Sequence, residues 1–122
     1  MDNILSGKII KCAINVHKEL GPGLLESTYE QCLMFELTEN NINCRTQVAL
    51  PVLYRGNKID CAYRIDMLVE NSIILELKSV INLEPVHTAQ LMSYMKLANI
   101  KLGLLINFNV KLLTNGIKRI IL

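Results

Sequence analysis

The spacing of apolar residues changes along the chain, and each change marks a different kind of element. Over residues 3–20, Ile9, Ile10, Ala13, Ile14, Val16 and Leu20 recur at helical spacing, with Lys8, Lys11, Lys18 and Glu19 between them. That is the pattern of an amphipathic helix. Gly21-Pro22-Gly23 stops it, because proline and two glycines favour a turn. A second helix is expected from about Leu24 to Asn40. Its apolar stripe lies within Leu25, Tyr29, Cys32, Leu33, Phe35, Glu36 and Leu37, and Asn40-Asn41 is its C-terminal stop.

From Asn43 the period shortens to that of strands. Arg45–Tyr54 is rich in Val, Leu and Tyr, with Pro51 marking an edge or an irregularity. Arg55-Gly56-Asn57-Lys58 is a turn signal. Ile59–Val69 and Ile73–Val80 read as two strands around Glu70-Asn71-Ser72. Glu84-Pro85 opens another helix over residues 85–99, since proline suits a first helical turn. Lys101–Phe108 is a continuous apolar run, as in a buried strand. Lys111–Leu122 forms a last strand or strand pair around Asn115-Gly116. The expected order is α-α-β-β-β-α-β-β, in one domain over residues 1–122, close to the commonest domain size.

Composition narrows the class without naming a function. At 51% hydrophobic and 20% charged residues, the chain is too apolar for disorder. No run approaches the roughly 18 apolar residues of a membrane span. The start, MDNILSGKIIKC, lacks the order of a signal peptide, so a cytoplasmic address is expected. Cys12, Cys32, Cys44 and Cys61 form no close pair and read as reduced, mostly buried small hydrophobes. His17 and His87 have no Cys or His at a close zinc-ligand spacing. A net charge of +2 neither requires nor excludes a nucleic-acid partner.

Three charged residues interrupt apolar strands. Asp66 stands in Tyr63–Val69, and Glu76 and Lys78 stand in Ile73–Lys78. Strand side chains alternate faces, so Glu76 and Lys78 share one and Leu77 points to the other. If Glu70-Asn71-Ser72 is a three-residue loop, Asp66 faces Glu76 directly. A two-residue loop would set it against Leu77, and one residue of slip flips every side chain. Two facing carboxylates repel unless a cation compensates, and hard oxygen donors suit Mg2+ or Mn2+. A metal that activates water, beside a positioned cation, is what phosphodiester hydrolysis needs. A plain salt bridge on a strand face would use the same residues.

Asp66 followed by Glu76-Leu77-Lys78 resembles the signature of the PD-(D/E)xK nuclease superfamily. Gln90-Leu91-Met92-Ser93-Tyr94 resembles the QxxxY element of its RecB-like branches. Gly23-Leu24-Leu25-Glu26-Ser27-Thr28-Tyr29 matches GxxExxY, which names a family of small proteins assigned to that superfamily. VHKELGPGLLES, YRIDMLVE, PVHTAQLMSYMKL and KLGLLINF extend the likeness over nearly the whole chain.

The resemblance implies an α/β, restriction-endonuclease-like core with a central mixed sheet flanked by helices. It implies a metal-dependent nuclease acting on nucleic acid, DNA before RNA. Asp66, Glu76, the Leu77 carbonyl and Glu26 would hold Mg2+ or Mn2+, and Lys78 would be the catalytic lysine. Gln90 and Tyr94, one helical turn apart, would orient Lys78 or contact a phosphate. The superfamily's proline is absent, since Ile65 precedes Asp66. Each supporting residue also has a plainer reading: Glu26 favoured by a helix dipole, Tyr29 a core ring, Gln90 a polar surface residue. Arg45 and Gln47 read equally as surface residues or substrate contacts. The alternative function is an inactive nucleic-acid-binding or protein-interaction module on the same fold. Against the nuclease reading, the chain is minimal, with few aromatic residues for stacking on single strands, at 5%, and no large basic run; a groove completed by a second subunit suggests a homodimer.

Overall fold

A computed structural model describes residues 3–122. Met1 and Asp2, at the start of the expected domain, lie outside the described residues. Helix α1 spans Asn3–Leu20 and α2 spans Glu26–Glu39. Ile9, Cys12, Ala13 and Val16 form the buried stripe of α1; Tyr29, Leu33 and Leu37 form that of α2. Their spacings of three and four residues put each set on one helix face. Gly21 and Gly23 turn the chain between the helices with φ of 71° and 98°, in the left-handed region that glycine adopts without strain.

The strands are β1 (Cys44–Ala49), β2 (Val52–Tyr54), β3 (Asn57–Ile59), β4 (Arg64–Val69), β5 (Ile73–Lys78), β6 (Leu102–Asn107) and β7 (Ile117–Ile121). Five of them form a mixed sheet in the order β1-β4-β5-β6-β7. Only β5 and β6 run parallel, joined across the sheet by helix α3, Pro85–Ala98. A parallel pair needs such a crossover.

The sheet separates two apolar layers. On one side α1 and α2 pack against Met67, Val69, Leu75, Leu77, Leu104 and Ile106. On the other, Leu91, Tyr94 and Met95 of α3 pack against Leu68, Ile74 and Leu105. Gly103 permits that approach, since a Cβ there would lie 2.7 Å from the Met95 sulfur.

Helix α1 and the buried strand β6 follow the sequence pattern closely. Two expected long strands do not. Arg45–Tyr54 breaks at Leu50-Pro51, where proline cannot donate to the ladder. Ile59–Val69 breaks over residues 60–63, where Asp60 Oδ1 accepts the Ala62 N–H at 2.9 Å and Ala62 takes φ 60°. That side-chain turn ends the strand locally. Between the breaks, β2 and β3 form a hairpin of their own, closed by Arg55-Gly56. The last segment is one strand preceded by a 3-10 turn at Leu113–Gly116, not a strand pair. All four cysteines are free, but only Cys12 is fully buried and Cys61 is exposed.

Candidate active site

The β4–β5 register decides which residues meet. Met67 pairs with Leu75, Leu68 with Ile74 and Val69 with Ile73. The loop is therefore the three residues Glu70–Ser72, and one further step sets Asp66 against Glu76. The ordinary ladder ends there. The Asp66 N–H donates to Glu76 Oε1 at 3.2 Å, and the Leu77 N–H donates to Asp66 Oδ2 at 2.9 Å. Each carboxylate stands in for a backbone carbonyl, so the gap between the strands holds the two acids without orphaned donors.

The neighbouring strand is distorted at the same point. In a regular strand Ile65 shares a face with Met67 and Val69. Here Met67 and Val69 pack under α1 and α2, while Ile65 packs under α3. On β1, Cys44 and Val48 divide in the same way. Both strands change faces at the Gln47–Asp66 step. Gln47 absorbs the change with φ 52°, a conformation that costs a non-glycine residue about 1–3 kcal/mol. Its amide donates to Glu30 Oε1 on α2 at 2.7 Å.

Glu76 is only 4% exposed. Burial, and then the charge of Asp66, push its pKa up to about 8. A hydrogen bond between the two carboxyls adds to the rise, while the Asp66 N–H and the Lys78 charge pull against it. The metal-free pair thus holds one proton at neutral pH. Glu30 is also raised, by burial and then by Asp66, with Gln47 opposing. Tyr94 is raised by burial first, against its bond from Gln90, and further by Glu76, Tyr63 and Asp66. The Asp66 charge therefore reaches Glu30 of α2, and both carboxylates act on Tyr94 of α3.

Stability should depend on pH accordingly. The folded chain binds the Glu76 proton more tightly than the unfolded chain does. The advantage is complete below the ordinary value of 4.5 and is lost as pH rises through about 8. The melting temperature of the metal-free protein should fall between about pH 5 and 8. Glu76→Gln keeps the acceptor oxygen but does not titrate, so it should remove that fall. A variant that declines as steeply as the wild type would clear Glu76 as the cause.

The other expected site residues fall into two groups. Lys78, half-buried at the end of β5, lies on the Glu76 face by strand alternation, and its charge reaches Glu76. The Leu77 side chain is in the core, and its carbonyl leaves the same strand edge as its N–H, towards Asp66. Gln90 donates to the Tyr94 hydroxyl at 3.0 Å. Lys78, Leu77 and Tyr94 thus lie at the pair, and Gln90 reaches it through Tyr94.

Glu26 does not join them as a third carboxylate. It opens α2 and accepts the Ser79 N–H at 3.1 Å, while the Ser79 hydroxyl donates to the Leu24 carbonyl at 2.7 Å. Tyr29 is wholly buried and stacks on Phe108 at 4.3 Å. Its hydroxyl donates to the Gly21 carbonyl at 2.6 Å and accepts the Leu24 N–H at 3.1 Å. In this structure the GxxExxY segment braces the backbone that follows Lys78. His17 bonds the Val110 carbonyl and His87 accepts the Glu84 N–H at the start of α3, so both are structural.

Glu30, Gln47 and Asn107 carry no motif. Asn107 is 2% exposed, accepts the Val80 N–H at 3.1 Å and donates to the Val80 carbonyl at 3.0 Å. It holds the same segment from the β6 side. Its one signal is a polar residue closing an apolar strand.

Among the described residues, no three His, Cys, Asp or Glu side chains are gathered closely enough to hold a metal ion. Asp66 and Glu76 supply two hard carboxylates whose repulsion a divalent cation would offset, and that donor set fits a hard divalent ion. A hollow of about 540 Å³ between α1 and α2, lined by Val16, Leu20, Cys32 and Phe35 among others, contains none of these groups. No described helix is long and apolar enough to cross a membrane.

No curated protein and no solved structure matches the chain. The family model of the PD-(D/E)XK nuclease superfamily matches residues 3–120, nearly the whole length. With that match, and with an acid on one strand meeting an acid-x-lysine on the next, the chain belongs to the PD-(D/E)XK nuclease superfamily.

Proposed function

We propose that this chain is a Mg2+- or Mn2+-dependent nuclease that hydrolyses phosphodiester bonds, with DNA as its first substrate, and that it belongs to the GxxExxY branch of its superfamily. The observation that supports this most strongly is the Asp66–Glu76 pair, in which Glu76 is buried and Asp66 half-buried. A buried carboxylate facing a second acid costs folding free energy, and the cost is offset when a cation is held there. Asp66, Glu76 and the Leu77 carbonyl would hold the ion. Glu26, which accepts the Ser79 N–H, would fix the end of β5 and support the ion directly or through water. A bound divalent ion would supply charge neutralisation and an acidified water.

The chain's own residues do the rest. Lys78 places a positive charge where negative charge builds on the phosphate oxygens. Tyr94, held by Gln90, borders the carboxylates and turns its hydroxyl to the substrate. The backbone after Lys78 is tied by Glu26, Tyr29 and Asn107, so the lysine enters the reaction already positioned.

Purified protein should be incubated with Mg2+ or Mn2+ on single-stranded, duplex and branched DNA and on matching RNA. Cleavage should require the metal. Lys78→Ala should lower the rate by about 100-fold or more while metal binding persists. An absence of metal-dependent cleavage on every substrate would reject the reading.

A further inference from the structure

Among the described residues, the β2–β3 hairpin pairs with no other strand. Residues 53–64 are all exposed, the longest such run among the described residues. A two-stranded ribbon is marginal without something packed on a face. Yet this one presents Leu53, Tyr54 and Ile59 to solvent, at 57%, 59% and 42% exposure.

Its charge is equally one-sided. It carries Arg55, Lys58 and Arg64 against Asp60 alone, so this segment holds the chain's entire formal excess of +2. The remaining cations and acids cancel. Arg55 sits at the tip with φ 50°, where asparagine or glycine is the unstrained choice for so tight a turn. Its guanidinium lies 5.6 Å from the centre of the Tyr54 ring. The strained position holds a cation and an aromatic face together at the outermost point of the ribbon.

The ribbon is continuous with the carboxylate pair. The chain returns from β3 through Tyr63, whose ring lies 5.9 Å from that of Tyr94. Arg64 and Ile65 follow, and then Asp66. The two exposed tyrosines of the protein, Tyr54 and Tyr63, are both here.

From this juxtaposition of ribbon and site we infer that the β2–β3 hairpin is a binding arm for a single-stranded polynucleotide, which it leads towards Asp66 and Glu76. The inference rests on the nuclease reading for its direction, but its chemistry stands apart. Phosphates meet Arg55, Lys58 and Arg64, and a base stacks on Tyr54. Stacking on an exposed ring requires an unpaired base, because in a duplex both base faces are covered by neighbours. Three cations suffice for a few phosphates of one strand, whereas a duplex groove-binder would show a broader basic face.

The test is binding under conditions that block cleavage. The 122-residue chain is titrated in EDTA against fluorescein-labelled 20-nucleotide oligothymidylate, oligouridylate and a 20-base-pair DNA duplex, with fluorescence anisotropy as the readout. Wild type should bind the single strands more tightly than the duplex, and the thymidylate and uridylate arms show which sugar is preferred. Tyr54→Ala should weaken binding about tenfold. Arg55→Gln with Lys58→Gln should lower the slope of log affinity against log salt by about 1.4. Removing the same charge elsewhere, at the exposed Lys8 and Lys11 of α1, should change neither, and all variants should melt as wild type does.

Arm variants that bind like wild type, or a preference for duplex, would overturn the proposal. So would sedimentation showing that these variants dissociate a dimer without losing polynucleotide affinity, which would make a second copy the occupant. A protein that binds through the arm but never cleaves would defeat the nuclease reading and leave the arm standing.

Discussion

Asp66→Asn should lose metal-dependent cleavage by at least about a thousandfold, roughly 4 kcal/mol of transition-state stabilisation, and should still fold. The two halves of that expectation come from different oxygens and charges. The amide that replaces the carboxylate would keep an oxygen for the Leu77 N–H, which Asp66 Oδ2 now accepts at 2.9 Å. What it would lose is the negative charge that a hard divalent ion requires. Removing that charge also removes one cause of the raised Glu76 pKa. The variant should therefore melt at or above the wild-type temperature near pH 8, where the wild-type pair is most strained. Glu76→Gln should behave in the same way. The comparison is run in one preparation, with and without Mg2+ or Mn2+. Undiminished cleavage by the variant would place the activity in a contaminant or at another site. A variant that is inactive because it is unfolded would contradict the structural half and would show in its melting curve.

Tyr29→Ala should be the most damaging change to stability, at about 3–5 kcal/mol, a large share of the 5–15 kcal/mol that holds a typical domain together. Tyr29 is completely buried and stacked on Phe108 with an interplanar angle of 7°. Tyr29→Phe isolates the hydroxyl. It keeps the stack and leaves the Leu24 N–H and the Gly21 carbonyl without their partner, so it should cost about 1–3 kcal/mol. Urea unfolding at pH 7 measures both. A tyrosine that served only in the reaction would show the reverse: full stability in both variants and lost turnover. The expected result assigns the last residue of GxxExxY to the turn that carries Leu24 and Glu26, and through them to Ser79.

These two cases show where the sequence is a good guide. Asp66 and Glu76 stand out because a charge inside an apolar strand is costly and needs a reason. The parity of their loop does not stand out, because the apolar runs continue on both sides of Glu70-Asn71-Ser72 and allow either register. The face change at Gln47–Asp66 is invisible in the sequence, since it depends on how two strands pack against different layers. Pro51 announces its break through its missing N–H, whereas Ala62 takes a left-handed conformation that nothing in its chemistry signals. Glu26 is legible as an acid of a motif, but its partner, the Ser79 N–H, lies 53 residues away. Glu30 has no motif at all and is tied to the site only by the way α2 lies over β1. Phe35 sits among the apolar residues of α2 yet is 66% exposed, because two residues on from Leu33 the helix has turned to its far side.

The distortion of β1 has a consequence for the chain in company with its own copies. β1 and β7 are the open margins of the sheet, and an open margin is a template on which another strand can grow. β1 is interrupted by the left-handed Gln47 and cut short by Pro51, so it offers no long flat row of donors and acceptors. β7 carries Lys118 and Arg119, both exposed, near its middle. Edge-to-edge growth of the five-stranded sheet is discouraged at both margins. In the five-stranded sheet, the same kink that seats Asp66 makes β1 a poor edge for pairing with a second copy.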